Sequence, residues 1–436
     1  MALTIIYTVI LIATTIFAAY YLFLGIVALF VRKQKYPMCE DKLKFCIFVP
    51  CHNEEDVIAA TVGNFAKFNY ASDLWDVYFL ADNCSDQTAD RIREAIEKVE
   101  RPNFHVLERN VDDPNKKGKP YAINWGITTL EEGDGFYGKY DMFMILDADN
   151  FADADILKHI NSQYLSFKEN KRPAMIQTYL DSKNKNNLIA RGYFASYRVS
   201  NGFFQLPKYK LGLVPAIGGT GFAMETTFLK ELGGYCCTSL VEDLEIQTIA
   251  TLKAKRIAYN HNARIYDEKP TGVKQSVVQK TRWAQGHWFV FFKYGWRLLL
   301  WMFHPKEIKF FFKRLDNLVY LSTMLFMLLS VVSTILSAIC ILMKVEVPFV
   351  PFWLTLGMAL YTIAMFPLSA WLDGTAQEKK RLLIEFIPNV IAGAIASVIF
   401  CIASLFGLFK CGNQKVWKKT KHQVTVMSEE EPDPVK

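Results

Sequence analysis

The chain of 436 residues contains no Cys-x-x-Cys pair, and its nine cysteines are scattered. That excludes a paired-thiolate zinc site and a disulfide frame, and it points to reduced thiols. Cys236-Cys237 reads as a buried loop pair without chemistry, and His52 and His261 stand at no metal-ligand spacing from any cysteine. The interleaved basic and aromatic residues of a nucleic-acid module are missing, so nucleic acid is excluded as a partner. Internal repeats are missing too. Residues 4–31 carry no charge at all, and no basic segment precedes them. The run is too long for the apolar region of a cleaved signal peptide, and that reading yields to a membrane helix.

What is present points the same way. The chain is 51% hydrophobic and 14% aromatic, with net charge +7. Arg32, Lys33 and Lys35 directly follow the first run, which sets that flank in the cytoplasm and the N-terminus outside. Two more runs, 318–343 and 348–372, have the length and hydropathy of spans, and Glu378-Lys379-Lys380-Arg381 closes the second on the cytoplasmic side. A fourth run, 382–409, carries Glu385 and Pro388 near its start. If it crosses, the basic tail beyond it lies outside, against the charge rule. If it lies in the interface or re-enters, the tail stays inside, and this second arrangement is the favoured one. Segment 289–303 has Lys293 and Arg297 one helical turn apart, and segment 305–314 has Lys306, Lys309 and Lys313 among phenylalanines. Both read as helices lying in the membrane interface. The basic excess near these flanks suits anionic lipid and substrate phosphate. Residues 428–436 are acidic and proline-bearing, the composition of a disordered end. The expected organisation is a membrane helix over 1–34, a cytosolic domain over 42–288, interfacial helices over 289–314, membrane helices over 315–410 and a cytosolic tail over 411–436. The expected location is the plasma membrane, with multiple passes and the 42–288 domain on the cytoplasmic side.

Within 42–288 short apolar runs alternate with helical stretches. Strands are expected at 44–50, 76–81, 104–108, 142–146 and 175–179, and helices at 54–68, 87–100 and 121–129. This is the pattern of an α/β domain with a mainly parallel sheet covered on both faces. Ligands of such sheets bind beyond the carboxyl ends of the strands. Three polar clusters fall there: Pro50-Cys51-His52-Asn53-Glu54, Ala81-Asp82-Asn83 and Asp147-Ala148-Asp149.

Each motif has a chemical and a plain structural reading. Asp147 and Asp149, behind an apolar strand, offer hard oxygen ligands for Mg2+ or Mn2+ and, through the ion, for a diphosphate; the plain alternative is a solvated loop. Asp82 could accept from a base or ribose, or it could cap a helix, a task for which Asn83, Ser85 and Asp86 compete. Lys119 stands before a helix, where ammonium and dipole both favour diphosphate; Lys116 and Lys117 read as a solvated basic loop. Gly218-Gly219-Thr220-Gly221 allows close approach to a ligand, or is a tight turn. Glu242-Asp243 opens a helix as ordinary dipole partners, or supplies a general base in Asp243. Gln279, Arg282 and Trp283 occupy positions i, i+3 and i+4 of one helical face. There they could hold hydroxyls, phosphate and the apolar face of a sugar, or anchor the helix among lipid headgroups. His287, on the same helix, packs rather than catalyses.

The order of these elements resembles the membrane-bound family 2 glycosyltransferases, the group of cellulose, chitin and hyaluronan synthases. Their signature runs lone Asp, Asp-x-Asp, Glu-Asp and Gln-x-x-Arg-Trp, matched here by Asp82, Asp147-Ala148-Asp149, Glu242-Asp243 and Gln279-Lys280-Thr281-Arg282-Trp283. The resemblance covers about residues 42–300 and implies a GT-A nucleotide-sugar-binding domain flanked by transmembrane and interfacial helices. It further implies that Pro50, Asn53 and Glu54 form the uridine loop, that Asp82 holds the uracil side and that Lys119 meets the diphosphate. Asp147 and Asp149 would hold UDP and the cation, Asp149 most directly. Gly221 would lie near the acceptor end, and Asp243, beside Glu242, would be the base. Gln279, Arg282 and Trp283 would hold donor phosphate and acceptor sugar. Trp417 and Thr420, in Trp417-Lys418-Lys419-Thr420-Lys421-His422, resemble a gating loop, with His422 in place of its usual Arg. Val241 replaces the common Thr of a Thr-Glu-Asp triplet, and the short tail holds no cyclic-dinucleotide regulatory domain.

The activity these features imply is metal-dependent, inverting transfer of a hexose or N-acetylhexosamine from a UDP-sugar to a growing β-linked polysaccharide, with export. The alternative is a single transfer to a lipid or lipid-linked acceptor. An accessory export subunit or a homo-oligomer is compatible with either. A non-enzymatic assembly partner would have a degenerate site, and the motifs here are intact. A transporter would bury ionisable groups within its spans, which these runs do not supply.

Overall fold

A computed structural model describes residues 2–113, 116–344, 364–365, 367–374, 379–380 and 382–414. Its centre is one eight-stranded sheet in the order β3-β2-β1-β4-β7-β6-β8-β5. The strands are β1 (Phe45–Cys51), β2 (Trp75–Asp82), β3 (Phe104–Arg109), β4 (Met142–Ile145), β5 (Phe151–Ala152), β6 (Met175–Ser182), β7 (Phe222–Glu225) and β8 (Ile257–Asp267). β3, β2, β1 and β4 run parallel, as do β6 and β8. β7 is antiparallel to both β4 and β6, and β5 is antiparallel to β8.

β1 shows why its sequence makes a central strand. Phe45, Ile47, Val49 and Cys51 face one apolar layer with Ile58, Val62, Phe65 and Ile92. Cys46 and Phe48 face the other, with Ile123, Ile127, Leu130, Phe136 and Ile246. A strand buried on both faces is apolar at every position, which suits a parallel arrangement. Helices Ile58–Phe65 and Thr88–Val99 cover the first face; Lys119–Asp134 and Glu242–Leu252 cover the second.

The five expected strands are present as β1, β2, β3, β4 and β6. β5, β7 and β8 are additional. β5 spans only two residues and β7 only four, too few for an alternation to show. β8 interrupts its apolar residues with Asn260, His261 and Asn262, which are used internally: Asn260 Oδ1 accepts from the backbone of Asn262 and Ala263, at 3.0 Å each.

Segment 289–303 is not a separate element. It is the second half of one 30-residue helix, Val273–Met302, which also carries Gln279, Arg282, Trp283 and His287. The expected domain edge at 288 therefore falls inside a helix. A 3-10 turn, Pro305–Phe310, and a helix, Phe311–Leu321, follow.

Among the described residues, three helices contain stretches long and apolar enough to cross a membrane: Ile5–Phe30, Thr323–Leu342 and Ile384–Lys410. The first two pair antiparallel, with Phe17 stacked on Phe326 and Tyr7 bonded to Ser337 at 2.9 Å. The expected span 348–372 lies mostly outside the described residues.

Segment 382–409 forms one continuous helix, Leu382–Lys410, that runs through Pro388 without re-entering. It follows the α/β body from end to end. Glu385 pairs with Arg191 near its start. In its middle Ala392 and Ala396 lie where Gly192 has no side chain. Further on, the indole N–H of Trp288 donates to the Ser404 carbonyl at 3.0 Å. Past its end, the backbone N–H of Leu240 donates to Gln414 at 2.9 Å.

A Cβ at Gly407 would stand 2.6 Å from Ala284 Cβ and 2.7 Å from the backbone nitrogen of Gln285. Backbone cannot yield as a flexible side chain can, and overpacking typically costs about 1–3 kcal/mol. Gly407→Leu should therefore lower the unfolding midpoint of the detergent-solubilised protein, measured by intrinsic tryptophan fluorescence. An unchanged midpoint would mean that the two helices are not in contact.

Candidate active site

The carboxyl ends of β2, β1 and β4 deliver the first three polar clusters to one edge of the sheet. β1 leads into Asn53, held at φ 57°, and β2 into Asn83, held at φ 50°. Short polar side chains tolerate this left-handed region. The two loops are knitted together: the Ser85 N–H donates to Asn53 Oδ1 at 2.7 Å, and the Glu54 N–H to Thr88 Oγ1 at 2.7 Å. Asp86, not Asp82, serves the helix that follows, because Asp86 Oδ1 accepts from the Thr88 N–H at 3.0 Å.

Asp82 is thereby free for another partner. Its carboxylate is buried and accepts from Arg109 Nη1 at 2.7 Å and from Asn83 Nδ2 at 2.7 Å. Arg109, at the end of β3, also donates to the Lys116 carbonyl at 2.7 Å and so ties Asp82 to the loop before Lys119. No sequence motif marks Arg109. Its signal was positional: a charged residue ending the strand next to β2.

Lys119 is the hub. Its ammonium lies 2.7 Å from Asp147 Oδ1, 2.7 Å from the Gly219 carbonyl and 3.4 Å from Glu242 Oε1. Burial alone would lower its pKa, but Asp147 and Glu242 outweigh burial and hold it above the ordinary lysine value. Asp243 is pushed up to about 7, first by burial and then by the neighbouring Glu242 charge, with Lys119 opposing. One Asp243 oxygen accepts from the Leu244 N–H at 2.8 Å. The other faces Gly219, where an added Cβ would sit 3.2 Å away. Gly219 has φ 75°, so glycine both makes this turn and keeps that oxygen accessible. Gly221, at φ 63°, faces inward instead, against Ile265 and Thr178. The glycine beside the charge cluster is therefore Gly219.

Asp147 and Asp149 have different surroundings. Asp147 meets Lys119 and keeps 40% of its side chain exposed. Asp149 is buried; the Glu268 N–H donates to one of its oxygens at 3.3 Å, and Asn150 Nδ2 to the other at 3.3 Å. The Asp147 N–H donates to both Asn150 Oδ1 and Thr220 Oγ1 at 3.0 Å, locking this turn to the glycine turn. Lys183 and Asp267 face Asp149. Burial brings Lys183 down to about 8, and burial raises Asp267 to about 6, with Asp149 adding to that rise. Asn150, Thr220, Lys183 and Asp267 join the site without any motif. Two oxygen-donor side chains on a rigid turn, one of them accessible, suit a hard divalent cation that draws its remaining ligands from a diphosphate and water.

Arg282 faces Glu242, Asp147 and Asp243; burial lowers its pKa and these three carboxylates oppose that shift. Trp283 meets Tyr193 edge-on, with centroids 6.1 Å apart. Gln279 Oε1 is buried and accepts no hydrogen bond from the described residues. Pro50 is part-exposed near the end of β1. His287 is buried and hydrogen-bonds the Leu321 carbonyl at 2.9 Å; burial lowers its pKa to about 4, as befits a packed histidine. All nine cysteines are free, and Cys236 is exposed rather than buried, with Cys237 beneath it. Trp417 and Thr420 lie outside the described residues. Lys119, Asp147, Glu242, Asp243 and Arg282 thus form one charged cluster. Asp149 stands beside it, and Asp82 lies further along the same sheet edge.

A family model described as "Glycosyltransferase like family 2" matches residues 43–286. The probable glycosyltransferase YdaM of Bacillus subtilis (strain 168) is 26% identical over 252 residues, 58% of this chain and 57% of that one. The poly-beta-1,6-N-acetyl-D-glucosamine synthase of Staphylococcus aureus (strain MSSA476) is 25% identical over 247 residues, 56% of this chain and 55% of that one. The match spans little more than half the length of these curated relatives. Among solved structures, the mannosyltransferase PcManGT from Pyrobaculum calidifontis, in complex with GDP-Man and Mn2+, superposes with TM-score 0.57 at 17% identity, over 91% of this chain and 98% of that one. That likeness gives the fold, which is GT-A-like.

Asp243 sets a pH dependence. Its pKa rises from about 3.9 in the unfolded chain to about 7 in the fold. Ionising it therefore opposes folding, with no cost below about pH 4 and the full cost above about pH 7. kcat/KM should rise through about pH 7 and then level off. Asp243→Asn should abolish transfer yet raise the unfolding midpoint at pH 8, with little effect at pH 4. Transfer surviving above about 1% would exclude Asp243 as a base, since such groups contribute roughly 10²–10⁴-fold. For Asp82, Arg109→Met strands a buried carboxylate and should cost about 3–5 kcal/mol in denaturant unfolding. Arg109→Lys should restore part of that loss.

Proposed function

The chain belongs to glycosyltransferase-like family 2, and from that premise we propose that it is an inverting enzyme that transfers a hexose or N-acetylhexosamine from a UDP-sugar to a growing β-linked polysaccharide. One observation carries the reading: Asp243, Glu242, Asp147, Lys119 and Arg282 converge on one cluster at the ligand-binding edge of the sheet. A carboxylate raised towards neutrality is suited to take a proton from an acceptor hydroxyl at physiological pH. Asp243 is that carboxylate. The deprotonated oxygen attacks the anomeric carbon from the face opposite the nucleotide, and a single displacement inverts the α-linked donor to a β-product.

Asp147 and Asp149 would hold Mg2+ or Mn2+. When bound, the ion supplies positive charge against the diphosphate leaving group. Lys119 and Arg282 orient the diphosphate from either side of Asp147. Glu242 keeps Asp243 protonatable and holds Lys119 in place. Asp82, fixed by Arg109, reads the base at the far end of the edge, next to the loop of Asn53 and Glu54. Gln279, with a buried acceptor atom unbonded, and Trp283 receive the acceptor sugar.

Polymer formation is supported by the Staphylococcus aureus relative, whose name is that of a polysaccharide synthase. We place the catalytic domain on the cytoplasmic side of the plasma membrane. The Leu382–Lys410 helix touches the catalytic body at both ends, which favours a course along the membrane face. Gln414 is held against the backbone of Leu240 and Gln285, and the gating role belongs to Trp417 and Thr420, which lie outside the described residues. A second reading, one transfer to a lipid or lipid-linked acceptor, is favoured by the closeness of that apolar helix to the acceptor-side residues.

Purified full-length protein incubated across a panel of UDP-sugars should release UDP with one sugar far above the others, in a manner abolished by chelation and restored by Mg2+ or Mn2+. Asp149→Asn should lose at least about 10²-fold. A ladder of products on sizing supports the polymerase; a single glycolipid supports the second reading. Undiminished transfer in excess chelator excludes the metal role.

A further inference from the structure

Lys280 is the second residue of the Gln-x-x-Arg-Trp segment and none of the roles above uses it. It is 94% buried, since only 6% of its surface is exposed. Among the described residues it has neither an ion pair nor a hydrogen bond. Its ammonium lies over the Tyr193 ring at 4.3 Å and near the Phe400 ring at 5.3 Å. Tyr193 belongs to the helix Leu188–Val199 and Phe400 to the apolar helix Leu382–Lys410. Lys280 therefore sits in the seam where the catalytic body meets an apolar helix.

The charges around it make the position unfavourable. A second cation, Lys269, lies over the same Tyr193 ring at 5.8 Å. Lys269 has Asp267 as counter-ion; Lys280 has none. Burial, with Lys269 adding to it, lowers the Lys280 pKa to about 8, so at neutral pH the group is still mostly charged. Cation–π contacts return about 0.5–2 kcal/mol, less than the several kcal/mol of effective desolvation for a buried ion. A buried unpaired charge is normally paired or neutralised. Two hydroxyls stand nearby: Ser276, one turn before Lys280 on the same helix and fully buried, and Tyr193 of the facing helix, bonded to each other at 3.1 Å.

We propose that this seam, built from Lys280 with the Tyr193 and Ser276 hydroxyls and walled by Phe400, binds the phosphate of an anionic membrane lipid. The ammonium pairs with the phosphate, the hydroxyls bond its oxygens and the apolar helix packs against the acyl chains. Basic pockets beside apolar helices commonly bind lipid head groups. The apolar wall favours lipid over free phosphate, because inorganic phosphate gains nothing from Phe400. The assignment does not depend on which acceptor the enzyme uses.

The test is thermal unfolding of the full-length protein in a maltoside detergent with added phosphatidylglycerol, phosphatidylcholine or sodium phosphate. Phosphatidylglycerol should raise the midpoint by about 2–4 °C, as expected for a ligand well above its Kd. The other two should give less than about a third of that shift. Lys280→Met should reduce the phosphatidylglycerol shift to the phosphatidylcholine level, Lys280→Arg should keep it, and the exposed control Lys309→Met should leave it intact. Native mass spectrometry of the wild type supplies a readout independent of variant folding: one phosphatidylglycerol should stay bound under conditions that strip phosphatidylcholine. A full shift in Lys280→Met, or no retained lipid on the wild type, overturns the proposal. An equal response to sodium phosphate assigns the seam to a soluble anion and overturns the lipid assignment. UDP release is not read in any arm, so failure here leaves the transferase reading standing.

Discussion

The ammonium of Lys119 is the interaction on which the site depends. Asp147 comes from the end of β4, Glu242 and Asp243 from the start of a helix on the other side of the glycine turn, and the Gly219 carbonyl from that turn itself. Three carboxylates brought this close repel one another, and burial strengthens the repulsion. Only a cation inside the cluster lets them share it. Lys119 supplies that cation from the first residue of the helix Lys119–Asp134, whose Pro120 suits the first turn. The balance is incomplete, and usefully so. Asp147 and Glu242 take most of the positive charge, and Asp243 is left with a pKa near neutrality. A half-buried carboxylate that ionises near neutrality therefore follows from burial and the Glu242 charge, which Lys119 only partly offsets.

Much of the parallel half of the domain was legible in the sequence because three of its strands are almost wholly apolar and end in polar clusters. β1, β2 and β4 are such strands, and they carry the motifs. The antiparallel insertion was not legible for a physical reason. β7 has four residues, and its partners are distant in sequence, so no local alternation declares it. β8 hides its pattern behind a bulge where Asn260 and His261 point inward and are satisfied by other buried groups. The long helix Val273–Met302 was divided in the sequence reading because its halves differ in environment. Its first half faces carboxylates; its second exposes Phe292, Trp296, Leu300 and Trp301. A helix keeps its hydrogen bonds across such a change of surroundings, so composition alone places a boundary where the backbone has none.

The site divides in the same way. Residues that touch ligand chemistry by type, Asp82, Lys119, Asp147, Asp149, Asp243 and Arg282, could be named from order and spacing. Residues that hold them could not. Arg109 acts by standing one strand over from Asp82, and Asn150 and Thr220 act by binding one backbone N–H of Asp147. These are contacts across the sheet, invisible in linear order. Gly219 and Gly221 are two residues apart and differ only in which way the turn faces them, a distinction carried by backbone angles rather than composition.

The first apolar helix and the helix Phe311–Leu321 are joined to this site by polar contacts rather than by apolar ones alone. Asp316, on the helix Phe311–Leu321, is buried and accepts from Tyr20 of the first apolar helix, from Lys208 at 2.8 Å and from the Val214 N–H at 2.7 Å. Next to it, Asn317 accepts from Gln247 Nε2 at 2.6 Å, and the oxygen of Gln247 accepts from the Ile217 N–H at 2.8 Å. Val214 and Ile217 lead directly into the glycine turn that faces Asp243. A buried ion pair adds little net stability, but breaking it costs about 3–5 kcal/mol. A one-turn slip of Phe311–Leu321 would break it and strand Asp316 and Lys208, and a one-turn slip of the first apolar helix would break the Tyr20 bond to the same carboxylate. The Asp316 carboxylate thus fixes the register of two elements that hydrophobic contact alone would leave free to slide. Through Val214 and Ile217 the same register reaches the backbone that keeps one oxygen of Asp243 uncovered.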